Sequence, residues 1–316
     1  MRRHQRRGHR PGERGGVRWG AVSGVFACET ARSHRIEVRG LALHLLEWGR
    51  AARSGVLLLH GGAAHAHWFD AVAPALAGGR HVVALDQRGH GESAWARPPA
   101  YATRDFVADL LGVLDRLGWA AAVLVGHSMG GHNAIACAAW HPQRVRGLVI
   151  VDSRPAIPAE RLAQMKERGA RPPRRHPTLD AAVAAFRLLP PDTNADPALL
   201  AHLARESVAW RDGAVSLRFD PACYAAREPV DGWPLLPRIA APTLVVRGER
   251  SPILTRPMAE RLRSEIPGSR LVEVPDAYHH LVLDRPETFA RALRDFLDDV
   301  DAGEAGAGPS ARPAAS

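Results

Sequence analysis

The stretch AAVLVGHSMGGHNAIACAAW (121–140) runs apolar up to Gly126, breaks into a polar His127-Ser128 pair set between glycines, and resumes as an alanine-rich apolar segment. Val123, Leu124 and Val125 form the short apolar run expected of a strand covered on both faces. Gly126-His127-Ser128-Met129-Gly130 fits G-x-S-x-G, the pattern of a serine exposed on a sharp strand-to-helix turn. Such a turn strains the serine backbone, and glycines two residues before and after it leave room for the close approach of the chain. A helix predicted over 133–140 aims its N-terminal N–H groups and the positive end of its dipole at the hydroxyl. The five-residue pattern alone also fits an ordinary strand-to-helix turn. The strand before it and the helix after it are what make it a nucleophile elbow.

Outward from the elbow, strands and helices alternate. The sequence predicts a strand pair over 35–47 turning at Arg39-Gly40, then a buried strand over 56–59 that ends at His60-Gly61-Gly62. A short helix over 68–76, a strand over 81–85 and an amphipathic helix over 106–117 follow. Beyond the elbow come strands over 145–151, 243–246 and 271–274, with helices over 258–266 and 286–297. This alternation predicts an α/β fold, a mostly parallel central sheet with helices on both faces. The interval 153–237 breaks the rhythm with prolines and helical patches over 181–189 and 199–210, and is read as an inserted, mostly helical cap. The organisation expected is a disordered basic extension over 1–34, a core over 35–152 and 238–300, the cap over 153–237, and a disordered tail over 301–316.

The net charge of +9 on 316 residues raises a nucleic-acid reading, but residues 1–35 hold nine arginines against two glutamates and so account for seven of those charges. The remainder is close to neutral, so neither a nucleic-acid nor a membrane partner is expected. No apolar run approaches the length of a membrane span. Cys28, Cys137 and Cys223 are odd in number and unpatterned, which predicts no disulfide framework, no metal site and a reducing, cytoplasmic compartment. No cofactor is expected. The expected partner is a small ester-like molecule, bound by a monomer or homodimer.

With these elements in place, the chain from about residue 35 to 300 resembles the α/β-hydrolase fold superfamily. Three motifs in order carry the resemblance: LLLHGG (57–62), ALDQRGHGES (84–93) and VGHSMGG (125–131), followed by the histidine-bearing ending VPDAYHHLVLDRPETF (274–289). The resemblance implies Ser128 as nucleophile and a base on the loop after the last strand. A serine hydroxyl needs such a base within hydrogen-bond reach. Alignment with the superfamily ending puts His279 at the catalytic position and His280 one beyond, while His127 is expected to pack. Most relatives place the triad acid where this chain has Ser251, and a serine supplies no charge to an imidazolium. Some members carry the acid after the strand that follows the elbow helix, which here is Asp152. Asp152 is therefore the preferred acid and Glu249 its rival. The oxyanion hole is expected from the N–H of Met129 and that of Gly62 or Ala63. His60 is expected to brace its loop, and Asp86, Arg88 and Ser93 to form a structural turn. His65, His67, Trp68 and Trp95 are expected at the pocket mouth.

Three function classes follow from this reading. The preferred one is a serine hydrolase that cleaves a small carboxylic ester or lactone through an acyl-serine intermediate. The second is C–C bond hydrolysis, acyl transfer or perhydrolysis by the same groups. The third is a catalytically dead binding protein.

Overall fold

The computed structural model describes residues 31–50 and 55–306. The expected extension as far as residue 30, Cys28 with it, and the tail from residue 307 lie outside the described residues. Along the chain, β1 (Arg32–Val38), β2 (Leu41–Trp48), β3 (Gly55–Leu59) and β4 (His81–Leu85) precede the two-residue β5 (Tyr101–Ala102), α1 (Thr103–Arg116), β6 (Ala122–His127), α2 (Met129–Trp140) and β7 (Val145–Val151). The next segment carries α3 (Ala159–Ala170), α4 (Leu179–Ala184), α5 (Pro197–Glu206), the hairpin β8 (Val208–Arg211) and β9 (Ala214–Leu217), α6 (Ala222–Ala225) and β10 (Arg227–Glu228). The chain then returns through β11 (Thr243–Gly248), α7 (Arg256–Glu265), β12 (Arg270–Val274), α8 (Leu281–Asp284) and α9 (Pro286–Gly306).

Eight strands form one sheet in the order β1-β2-β4-β3-β6-β7-β11-β12. Only the β1–β2 and β2–β4 pairs are antiparallel. Alternation along each strand divides the core in two. Val56, Leu58, Val123, Val125, Val149 and Val151 face one layer, where Phe289, Leu293 and Phe296 of α9 cover them. Leu57, Leu59, Leu124, Leu148 and Ile150 face the other, under Leu110 and Leu114 of α1 and the alanines of α2. Both faces of the sheet are thus dry, which is why its strands read as continuous apolar runs. Leu124 is wholly buried in the central strand, so Leu124→Ala is expected to cost about 3 kcal/mol of stability from lost transfer energy and the cavity left behind. Urea unfolding followed by circular dichroism measures this.

Several expectations change, among them the helical patch expected over 181–189, which ends at Ala184. Residues 32–34, expected in the extension, belong to β1, where Arg32 pairs with Glu47 across the β1–β2 register. The closing helix does not stop near 297, because Val300 continues its buried face and Asp301, expected in the tail, accepts hydrogen bonds from Arg80 and Arg146. The helix expected over 68–76 is two short 3₁₀ turns, Ala66–Phe69 and Ala73–Leu76, the second with a proline in its first turn. The helix expected to reach Trp210 ends at Glu206, and Val208–Arg211 pairs with β9 across the Asp212-Gly213 turn, both of whose residues have positive φ. That turn dipeptide favours a hairpin over continued helix. Among the described residues, no helix is long and apolar enough to cross a membrane.

Candidate active site

β6 ends at His127 and α2 begins at Met129, so Ser128 makes the turn alone, at φ 52° and ψ −115°. This is a costly conformation for a residue with a Cβ, and the surroundings hold it. The Ser128 N–H donates to Val151 O at 2.9 Å, and Ser153 Oγ donates to Ser128 O at 2.6 Å. The flanking glycines permit the crossing. A Cβ on Gly126 would lie 2.4 Å from Gly130 O, and one on Gly130 would lie 2.2 Å from Leu59 O. As the first residue of α2, Met129 presents an N–H that has no acceptor within its own helix. The loop after β3 passes beside the serine, close enough that a Cβ on Gly61 would lie 3.3 Å from Ser128 Cβ. His60 braces this loop, donating from Nδ1 to Gly61 O at 2.7 Å and accepting the Gln87 N–H at Nε2. Ala63 holds φ at 58°, which marks the bend that carries the backbone of Gly62 and Ala63 past the site.

His279 lies on the loop between β12 and α8. Its Nε2 is 3.1 Å from Ser128 Oγ, and its Nδ1 is 2.9 Å from Asp152 Oδ1. With the proton on Nδ1 donated to the carboxylate, Nε2 is free to accept from the hydroxyl. Asp152 follows directly on β7, is fully buried, and has φ 44°. It also accepts from Gly248 N at 2.9 Å and from Ser251 Oγ at 2.5 Å. Glu249 is exposed and turned away, its Oε2 taking the Asp276 N–H at 2.8 Å. The structure therefore brings Ser128, His279 and Asp152 into one hydrogen-bonded line and leaves Glu249 outside it.

Burial pushes the His279 imidazole below its ordinary range, and the positive charge of Arg154 adds to this. Burial pushes the Asp152 carboxyl upward, against the Ser251 and Gly248 donors, which favour its ionised form. The first effect keeps His279 neutral and able to take a proton. Ser251, the residue that stands where an aspartate was looked for, is a donor to Asp152. Ser251→Ala is expected to lower kcat about tenfold by removing one of the bonds that orient and ionise the carboxylate, with KM little changed. Steady-state kinetics on a chromogenic ester measure the split.

The other predicted residues separate. His127 packs, stacked on Trp68 at 5.9 Å between ring centres, and donates from Nε2 to His279 O at 2.9 Å, which holds the histidine loop. Trp68 meets His280 edge-on at 5.2 Å, and His280 Nε2 donates to Pro190 O. His65 is buried and donates from Nε2 to Ser207 Oγ at 2.9 Å. His67 binds Asp70. Trp95 lies against the guanidinium groups of Arg97 and Arg211, at 5.2 and 3.7 Å from its ring centre. Asp86 holds a turn, accepting from Ala66 N, His44 Nδ1 and Glu92 N, while Ser93 Oγ donates to its carbonyl and Arg88 pairs with Asp109. Sequence reasoning missed Tyr224, whose hydroxyl would be 3.1 Å from a Cβ on Gly62. It lies in α6, nearly one hundred residues from the elbow motif in a stretch with no motif of its own, so no local signal marked it.

The sequence model described as the alpha/beta hydrolase fold matches residues 56–286. The chain is 32% identical over 263 residues to a pimeloyl-[acyl-carrier protein] methyl ester esterase of Neisseria meningitidis, covering 78% of this chain and 94% of that one. It is 29% identical over 275 residues to a 2-(acetamidomethylene)succinate hydrolase of Mesorhizobium japonicum, covering 84% and 95%. Among solved structures, the enol-lactonase from Burkholderia xenovorans superposes with a TM-score of 0.70 at 26% identity, covering 84% of this chain and 100% of that one. The chain belongs to the alpha/beta hydrolase fold family, and it is a hydrolase.

Proposed function

We infer that the protein is a serine hydrolase that opens a small carboxylic ester or lactone through an acyl-serine intermediate. The observation that carries this reading is the unbroken line from Ser128 Oγ through His279 to Asp152, at 3.1 and 2.9 Å. In this reading His279 Nε2 takes the Ser128 proton as Oγ attacks the carbonyl carbon. The oxyanion that forms is met by the N–H of Met129 and that of Gly62 or Ala63. His279 then returns the proton to the leaving alcohol oxygen, leaving Ser128 acylated. Water attacks the acyl group in the second half, with His279 again as base, and releases the acid and free Ser128. Asp152 keeps the imidazole in the required tautomer throughout and balances its charge when protonated.

Residues 153–237 are read as a cap over this site. Support comes from Tyr224 against Gly62, the Pro190 carbonyl on His280, and the Ser207 hydroxyl on His65. The cytoplasm is the compartment of choice, since Cys137 and Cys223 are both free and buried, and burial pushes the Cys137 thiol up to about 12. A monomer or homodimer acting on a small molecule completes the reading.

The test is a panel of p-nitrophenyl esters of graded acyl length, run in stopped flow beside a set of lactones. A rapid release of one p-nitrophenolate per active site before the steady state is the expected signature of acyl-enzyme formation. No turnover of any ester or lactone, together with no covalent adduct on exposure to a fluorophosphonate, would overturn the reading.

A further inference from the structure

We propose that His67, Asp70 and His202 form a binding site for a divalent ion of the zinc type, which ties α5 of the insertion to the loop after β3. The residues arrive in two facing pairs. His67 and Asp70 are three apart on the 3₁₀ turn Ala66–Phe69 and its C-cap, a spacing that stacks side chains on one edge of such a turn. His202 and Glu206 are four apart on α5, which sets both on one face of that helix. The fold turns the two pairs toward each other across 132 residues of sequence.

Asp70 Oδ2 is 2.8 Å from His67 Nδ1 and 2.8 Å from His202 Nε2. One ligand atom from each of the three residues lies within 4.8 Å of the others. The two imidazole rings stand 5.5 Å apart and nearly perpendicular, at 84°. Zinc holds nitrogen and oxygen ligands at about 2.0–2.2 Å, so its ligands sit about 3.3 Å from one another. The cluster needs only a small opening to admit the ion, which replaces the protons now shared around Oδ2.

The chemistry of the donor set also suits such an ion. Asp70 sits between the two rings, so one carboxylate oxygen faces a nitrogen of each histidine. The second oxygen of Asp70, Oδ1, is buried with no hydrogen-bond partner among the described residues, which leaves that carboxylate under-used without an ion. Two imidazoles and one carboxylate are the ligands that zinc and its neighbours in the first transition row prefer. Glu206 Oε2 stands 3.8 Å from His67 Nε2, on the nitrogen a metal bound at Nδ1 would leave over. A carboxylate in that place orients a ligand histidine and makes it a better donor. Each of the three side chains stays partly open to solvent, so the ion can enter.

The consequence is mechanical. The 3₁₀ turn that carries His67 begins at Ala66, a short step along the chain from Gly62 and Ala63, and α5 leads into Ser207, which already bonds His65. An ion here would fix the insertion on the loop beside Ser128 without touching Ser128 or His279. A second cluster, His127, His279 and His280, also has donor atoms in reach of one another, but His279 there is engaged by Ser128 and Asp152. An ion in that place would block the nucleophile's base, which gives the two sites opposite signatures.

The experiment uses the full chain stripped with a chelator and then titrated with Co²⁺ for its visible absorption and with Zn²⁺ for thermal unfolding. One Co²⁺ per chain with a tetrahedral-type spectrum and a rise in Tm of about 5 °C at saturating Zn²⁺ are expected. His67→Gln, Asp70→Asn and His202→Gln should each weaken binding 100-fold or more, while Glu206→Gln should weaken it about tenfold. Fluorophosphonate labelling of the saturated protein should continue at the metal-free rate. The proposal fails if Zn²⁺ leaves Tm unchanged. It fails equally if the folded variants bind Co²⁺ as the parent does, or if the ion suppresses labelling in proportion to its occupancy, which would put it at His279.

Discussion

Ser128→Ala is expected to abolish ester turnover and covalent labelling together. In the proposed mechanism the hydroxyl is the atom that forms the new bond, and no neighbouring side chain in the line from Ser128 to Asp152 can replace it as nucleophile. Removing the nucleophile in a serine hydrolase of another fold costs on the order of 10⁶-fold in kcat, with a residual rate from the oxyanion donors and binding. A fall of at least ~10⁴-fold is therefore expected here, about 5.5 kcal/mol of barrier. The variant should fold as the parent does, because the hydroxyl makes only the bond to His279 while the strained turn is held by backbone contacts to Val151 and Ser153. Labelling that persists in the alanine variant, mapped by mass spectrometry to another residue, would remove Ser128 from its role.

Asp152→Asn against Glu249→Gln is the second large contrast. The Asp152 carboxylate accepts the Nδ1–H of His279 at 2.9 Å, whereas the Glu249 carboxylate accepts a backbone N–H on the surface. An asparagine keeps the shape but removes the charge, and its NH₂ group favours the tautomer with the proton on Nε2, which cannot receive the serine proton. That change costs about 10⁴-fold in a serine protease. A loss of at least ~10²-fold in kcat is expected for Asp152→Asn, about 2.7 kcal/mol, with KM little altered. Glu249→Gln should stay within about tenfold of the parent. The reverse ranking in two variants with native circular dichroism would place the acid on the loop after β11.

Much of the architecture was legible locally. The elbow could be read because its signals lie within ten residues: an apolar run, two glycines at the crossing points and an alanine-rich helix. β4 and β7 match their predicted bounds because a buried parallel strand is an uninterrupted apolar run, and the Arg39-Gly40 turn matches because both residues take positive φ. The misread parts were those whose local preference is weak. Residues 32–34 are polar and join the sheet only through their pairing with β2, and Val208–Trp210 fits either a helix end or an edge strand until β9 is beside it.

The fold class and the sharp turn at Ser128 are written in short-range periodicity and glycine placement, whereas the loop that bears His279 is read from its resemblance to the superfamily's histidine-bearing ending. Which carboxylate faces His279 was decided only by the tertiary structure. β7 and β11 lie side by side and parallel, with Val151 opposite Val246, so their C-terminal ends open onto the same point above the sheet. Asp152 steps off the first strand into the space beside the imidazole, and its N–H donates to Val246 O. Ser251 reaches the carboxylate from the loop of the second strand at 2.5 Å, while Glu249 on that same loop turns to solvent. Asp152 and Ser251 are 99 residues apart in the chain, and it is the register between two neighbouring strands that brings them within a hydrogen bond.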